Sequence, residues 1–375
     1  MAVHNLKISL GFVLCFSAAG VAALGCGGAT SSGRGADDGA PSGGGDGAKG
    51  ADGADGVDGA DGADGADGAE SADDAPAAGA KEAGGDPADA PGAKGKVDRP
   101  KGLMTRAEAQ QYVLALVNRD RVKEGLKPVR WDGIAAEAGQ RHATDMAKLG
   151  FTGHHGSDGS VPELRYTGAG GDGLVMENAG CFGDAVAREL DPDPRFTPES
   201  VERVQATFMA EKPPADGHRR NILMPGHTSL GVGLAKVKGI DVACMAQEFV
   251  DDYGTYDALP KKAKVGDMIH VAGEVRSPVT IAGVGLSRVD PGKPRKPEEL
   301  LKMGGYPIPA PFVTYFPKGY KTPKPLEVTG NRFSIDVPLS DKGRPGLYGV
   351  SVWATFPGSK ELRMISLRTI SVEKK

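Results

Sequence analysis

Aromatic side chains are scarce in this chain, at 6% of 375 residues with only two tryptophans, and cysteine occurs four times. Neither sign of charge dominates: 45 Lys and Arg stand against 49 Asp and Glu, a net charge of −4 with histidine neutral. With no basic stripe and no aromatic stacking platform, nucleic acid is excluded as a partner. Beyond the N-terminus, no run is long and apolar enough to span a bilayer. Hydrophobic residues make up only 39%, whereas glycine is abundant at 57 residues. Both biases come mostly from one segment, so the remainder is ordinary enough to bury a core. The length points to about two to three domains.

Residues 1–25 read as an export signal, with Lys7 as a short basic region before the apolar run "ISLGFVLCFSAAGVAAL". The run ends in "LGC", which resembles a bacterial lipoprotein box in which Cys26 is acylated. The usual Leu would stand three residues before the Cys, where this chain has Ala23. The expectation is a membrane-anchored lipoprotein of the bacterial cell envelope, with the Cys26 lipid as its only anchor. The alternative is cleavage after Ala23 and a secreted protein. Cys15 leaves with the signal, so Cys181 and Cys244 remain as an even pair in an exported chain. That favours a disulfide, worth about 4 kcal/mol by loop-closure entropy. The alternative is two buried thiols.

Residues 26–100 are Gly, Ala, Asp and Ser with almost nothing to bury, so they cannot offset their ordering entropy and are expected to form a disordered tether. Glycine recurs at every third position from Gly50 to Gly68, the collagen period. The run is short, lacks proline and places an acid in every triplet. A self-repelling, extended spacer is therefore expected over a triple helix.

Residues 101–256 read as an α+β domain. "TRAE" at 105–108 is a capping box that opens a helix with Tyr112, Val113, Leu116 and Val117 inward and Gly125 as its stop. Asp132 caps a second helix in which Ile134, Ala138, His142, Met146 and Leu149 share one face before Gly150. His142 is thus expected to be a hydrogen-bonded core histidine. "PESVERVQATFMAE" is a third helix, and the alternation on either side of Lys238-Gly239 predicts a hairpin. Residues 257–375 carry five period-two runs between Gly/Pro turns, the pattern of a small antiparallel, immunoglobulin-like β-sandwich. Tyr348, Val350, Val352, Ala354 and Phe356 share one face of it. A proline-rich excursion from Asp290 to Pro325 interrupts the runs, and no catalytic constellation is found there. His270 and Trp353 read as core or interface.

Three polar clusters fall between the elements of the first domain: "GFTGHHGSDGS" (150–160), "MENAG" (176–180) and "GHRRNIL" (217–223). They place His154, His155, Glu177 and His218 on connecting segments, where functional side chains tend to sit. Pro213, Pro214 and Gly217 predict a turn at His218, with Ile222 and Leu223 as its apolar foot. These clusters resemble the CAP superfamily of cysteine-rich secretory, antigen 5 and pathogenesis-related proteins, and its bacterial branch above all. "VNRDRVKEGLKPVRWD", "HATDM", "GVGLA" and "AQEF" belong to the same pattern, which covers roughly residues 105–254.

The resemblance implies an α-β-α sandwich with a cleft lined by two histidines and one or two acidic residues. His154, Glu177 and His218 match the motif positions, Glu211 matches less closely, and His155 stands beside the site. The resemblance supports divalent-metal binding in some members, and His154, His218 and Glu177 are a reasonable set for zinc or another divalent cation, the alternative being a hydrogen-bonded polar cleft with no metal. Arg219 or Arg220 would orient Glu177 or attract an anionic ligand. No Ser or Cys nucleophile accompanies them. Two functions remain open: a tethered module that binds a lipid, peptide or envelope component, which is favoured, and a metal-dependent hydrolase of envelope peptides or glycans with Glu177 as base.

Overall fold

The computed structural model describes residues 85–375. The export signal, Cys26 and the glycine triplets lie outside the described residues. Among those described, no helix is long and apolar enough to cross a membrane.

The described part begins with a short 3-10 helix (Pro87–Asp89) and turns, and this stretch packs on the first helix. Val97 joins the core, and the Pro91 carbonyl accepts from Asn118 Nδ2 at 2.9 Å. Residues 85–100, expected to belong to a disordered tether, are instead held in place, because Val97 and the Pro91 carbonyl find buried apolar and polar partners.

Helix α1 (Arg106–Lys123) begins at the expected capping box, in which Thr105 and Glu108 satisfy each other's backbone N–H groups. Strand β1 (Arg130–Trp131) follows, then α2 (Gly133–Leu149), capped by Asp132 and ended by left-handed Gly150 at φ 70°. A short helix α3 (Pro162–Gly168) leads into β2 (Leu174–Gly180). Helix α4 (Pro198–Ala210) buries Val201, Val204 and Phe208. His218 does not lie on a turn: it is the second residue of α5 (Gly217–Ile222). Strands β3 (Ser229–Ala235) and β4 (Cys244–Asp251) then pair antiparallel, as the alternation predicted.

These strands form one sheet in the order β1-β3-β4-β2. Helices α1 and α4 cover one face, burying Leu230, Val232, Leu234, Met245 and Phe249. Helix α2 covers the other, and its close approach needs the glycines of β3. A Cβ on Gly231 would lie 2.0 Å from the Ala136 nitrogen, and one on Gly233 would lie 2.1 Å from the Gly139 backbone. The result is the expected α-β-α sandwich. A disulfide joins Cys181, just past β2, to Cys244, the first residue of β4.

The C-terminal region is built from β5 (Gly254–Tyr256), β6 (Lys262–Lys264), β7 (Met268–Val275), β8 (Thr280–Val289), α6 (Pro297–Leu300) and β9 (Val313–Tyr315). It ends with β10 (Glu327–Thr329), β11 (Arg332–Pro338), β12 (Gly346–Thr355) and β13 (Arg363–Glu373). They form two sheets, β10-β11-β7-β5 and β6-β13-β12-β8-β9, around a single core. Tyr348, Val350, Val352 and Ala354 are buried in that core, with Phe356 packed on it. His270 stays exposed, paired with Asp336 at 2.7 Å. Trp353 donates to Ser351 Oγ at 2.9 Å.

The proline-rich excursion is not a free loop. Between Asp290 and Pro311 it crosses the first domain, where Leu300 is buried in a cluster with Met146, Phe151 and Cys181.

Candidate functional site

Strand β2 is an edge strand paired only with β4, and that pairing sets Glu177 directly opposite Glu248. Both side chains face α2 and are fully buried, and two carboxylates cannot both ionise in such a place. The neighbours decide which one does. Helix α3 brings Arg165, whose Nη2 donates to Glu177 Oε2 at 2.6 Å. The 150–160 loop brings His154, whose Nδ1 lies 2.9 Å from Glu177 Oε1. Arg165 also holds the loop itself, since Nη1 and Nη2 each lie 3.1 Å from the His154 carbonyl.

Burial pushes the Glu177 carboxyl up, but Arg165, then His142 and His154, hold it well below the usual carboxylate range. Burial, and after it the Glu177 charge, raises Glu248 well above that range. Glu177 is therefore ionised and Glu248 neutral. Neither Glu248 oxygen has a hydrogen-bond partner among the described residues, which suits a neutral, protonated carboxyl and not a buried carboxylate.

His142 is the hydrogen-bonded core histidine expected, with Nε2 at 2.6 Å from the Gly153 carbonyl, yet it also comes within 3.7 Å of Glu177 Oε1. Burial, reinforced by Arg165, lowers its pKa to about 4. An unfolded histidine titrates near 6.5, so on acidification the unfolded chain takes up a proton that the folded site refuses. The neutral state is thus favoured above about 6.5 and costs stability as pH falls toward 4. At pH 4.5 the loss is about 2–3 kcal/mol relative to pH 7. Denaturant titrations of wild type and His142→Gln at both pH values should show the variant losing about 2 kcal/mol less. Equal losses would contradict the assignment.

The second histidine forms a separate pair. His218 Nδ1 lies 2.5 Å from Glu211 Oε1, while Glu211 Oε2 accepts from the His218 backbone N–H at 2.8 Å. Phe208 packs on the His218 ring at 4.5 Å between centroids, and His218 Nε2 is buried without a partner. Glu211 is thus the hydrogen-bonded partner of His218. Residue 178 ties this pair to the first: Asn178 Nδ2 donates to the His218 carbonyl at 3.2 Å, one residue after Glu177. The anchor continues through Asn221, which donates to Asn178 Oδ1 at 2.9 Å, to His227 and Asp251.

Arg219 reaches Glu124 and Arg220 reaches Asp216, so neither orients Glu177; Arg165 does. His155 stacks edge-on against Tyr306 from the C-terminal excursion, and burial lowers its pKa to about 4.

These contacts bear on a shared cation. Both Glu177 oxygens are taken, and a guanidinium at 2.6 Å opposes a second positive charge there. Among the described residues, no three His, Cys, Asp or Glu side chains are grouped to hold a metal ion. His154, Glu177 and His218 therefore do not fit as three ligands of one zinc; they form two His–carboxylate pairs. Arg165 and His227 carried no signal of their own in the sequence, and Glu248 stood only inside the "AQEF" match, with no role assigned to it.

An α-β-α sandwich with two buried His–Glu pairs at an edge strand defines the class. Residues 114–249 match the model of the cysteine-rich secretory protein (CAP) family. Among solved structures, the chain is similar to an extracellular protein containing an SCP domain from Bacillus anthracis. That similarity has 20% identity and a TM-score of 0.30, over 39% of this chain and 41% of the other. The matched stretch spans less than half of that protein. No curated protein matches the chain.

Proposed function

We propose that the protein is an exported, lipid-tethered binding module of the cell envelope, in which the CAP domain takes a peptide, glycan or lipid ligand without turning it over. The apolar leader and "LGC" support export and acylation of Cys26. The Cys181–Cys244 bridge fits an oxidising compartment. Replacing Cys26 with Ser should move the protein from the membrane to the soluble fraction. A wild-type chain that is soluble and begins at Leu24 would contradict the tether.

The observation that carries binding over hydrolysis is the state of Glu177. A general base needs an oxygen within reach of the proton it takes and a pKa near the working pH. Glu177 has both oxygens committed to His154 and Arg165, and its pKa is held far below neutrality. The test is to incubate the full-length protein with envelope peptides and glycan fragments, with and without added Zn²⁺. The binding reading expects fragments retained at unchanged mass. Cleaved products that chelator and His218→Ala abolish would establish the hydrolase instead.

A further inference from the structure

Leu300, Leu301 and Met303 join no core of their own domain. Leu300 is 2% exposed in an apolar cluster whose other buried members, among them Met146, Phe151 and Cys181, all come from the first domain. Leu301 and Met303 pack on the same cluster. The stretch that carries them, residues 290–311, is otherwise lightly held. Leu300 is its single buried residue, and six of its residues are prolines, which donate no backbone hydrogen bond. Its helix α6 has four residues.

Polar contacts flank the leucine on both sides. The Arg295 N–H donates to the Ser157 carbonyl at 2.9 Å. The Tyr306 hydroxyl donates to Glu163 Oε1, and its ring stands edge-on to His155 at 5.1 Å between centroids. Near residue 292 the two backbones touch, since a Cβ on Gly292 would lie 1.9 Å from the Gly159 carbonyl oxygen. An apolar anchor sunk in a groove, with main-chain and side-chain donors on either side of it, is how a bound peptide is held. Every group beneath the strap belongs to the first domain: an apolar patch between two acceptors, the Ser157 carbonyl and Glu163. That floor adjoins the Glu177 cluster, because Arg165, two residues after Glu163, pairs with Glu177.

We propose that this floor is a peptide-binding groove, filled in cis by residues 292–306, and that an external peptide with an apolar anchor between an N–H and a hydroxyl donor enters when the strap leaves. The inference rests on reading the first domain as a binding module and narrows its ligand to a peptide. Segments with few buried apolar contacts open well below the free energy of global unfolding. The strap fits that description, whereas β4 is buried along its whole length. An occupant on the same chain also acts at an effective concentration on the order of millimolar, so a free peptide competes poorly until the strap is weakened.

The test uses the full chain and a fluorescein-labelled peptide of residues 290–308. Leu300→Asp, which puts a charge on the strap's anchor and leaves the floor intact, should bind this peptide about tenfold or more tightly than wild type does. The peptide carrying the same Leu300→Asp change should not bind. Hydrogen exchange of the wild type needs no variant: the Arg295 amide should exchange about a hundredfold or more faster than the amides of β4. If a folded Leu300→Asp chain binds the peptide no better than wild type, or if the Arg295 amide is as slow as β4, the groove assignment is wrong. Retention of envelope fragments by the wild type alongside that failure would leave the binding module standing and place its ligand elsewhere.

Discussion

Arg165→Met is expected to lower folding stability at pH 7 by about 3–5 kcal/mol, the cost of removing one partner from a buried ion pair. Both side chains are almost inaccessible, at 6% for Arg165 and 0% for Glu177. The variant leaves a buried carboxylate without its cation and also frees the His154 carbonyl. The pH dependence carries the sign. The depressed Glu177 pKa contributes stability above the unfolded value near 4.3, and this is lost as pH falls through the folded value. Without Arg165 that contribution shrinks, so the gap between wild type and variant should stay open down to about pH 4.3 and narrow only below it. Arg165→Met with Glu177→Leu should recover most of the loss, because replacing a buried pair as a whole is far milder than breaking it. Urea denaturation checks all three, and a single-variant loss below about 1 kcal/mol would show that the pair is not what holds this site.

Opening the Cys181–Cys244 bridge should have a comparable effect. It closes a loop with a sequence separation of 63 residues, which corresponds to about 4 kcal/mol of denatured-state entropy. The loop contains α4, α5 and β3, and therefore both Glu211 and His218. Denaturation of the unreduced protein and of the Cys181→Ser/Cys244→Ser variant should differ by that amount. Intact mass should fall by two hydrogens relative to the reduced form. Coincident denaturation curves would remove the bridge as a source of stability.

What the sequence disclosed follows from which interactions are local. The Thr105–Glu108 box, the Asp132 cap and the Gly150 stop are each decided within one helical turn, and all three are present. His154, Glu177 and His218 were legible because glycine-rich segments and family motifs mark them. Their partners were harder to see. Arg165 sits on a seven-residue helix, too short to show a period. Glu248 lies in a strand buried along its whole length, where alternation cannot separate an inward from an outward face. Its meeting with Glu177 depends on the β2–β4 register, a property of pairing across 71 positions of sequence. The excursion after Asp290 is proline-rich and reads as a loop. Only the packing of Leu300 and Tyr306 reveals that it serves the first domain.

The central claim is that Glu177 is an ionised, fully engaged anchor and not a base, with its neighbour Glu248 carrying the proton. A ¹³C carboxyl NMR titration of wild type and Glu248→Gln measures this directly. The expected result at pH 7 is one buried glutamate with a protonated-carboxyl shift that disappears in Glu248→Gln. Glu177 should keep a carboxylate shift at every pH where the protein stays folded. A Glu177 that titrates near neutral pH, with Glu248 ionised, would contradict the account and return the residue to the role of a general base.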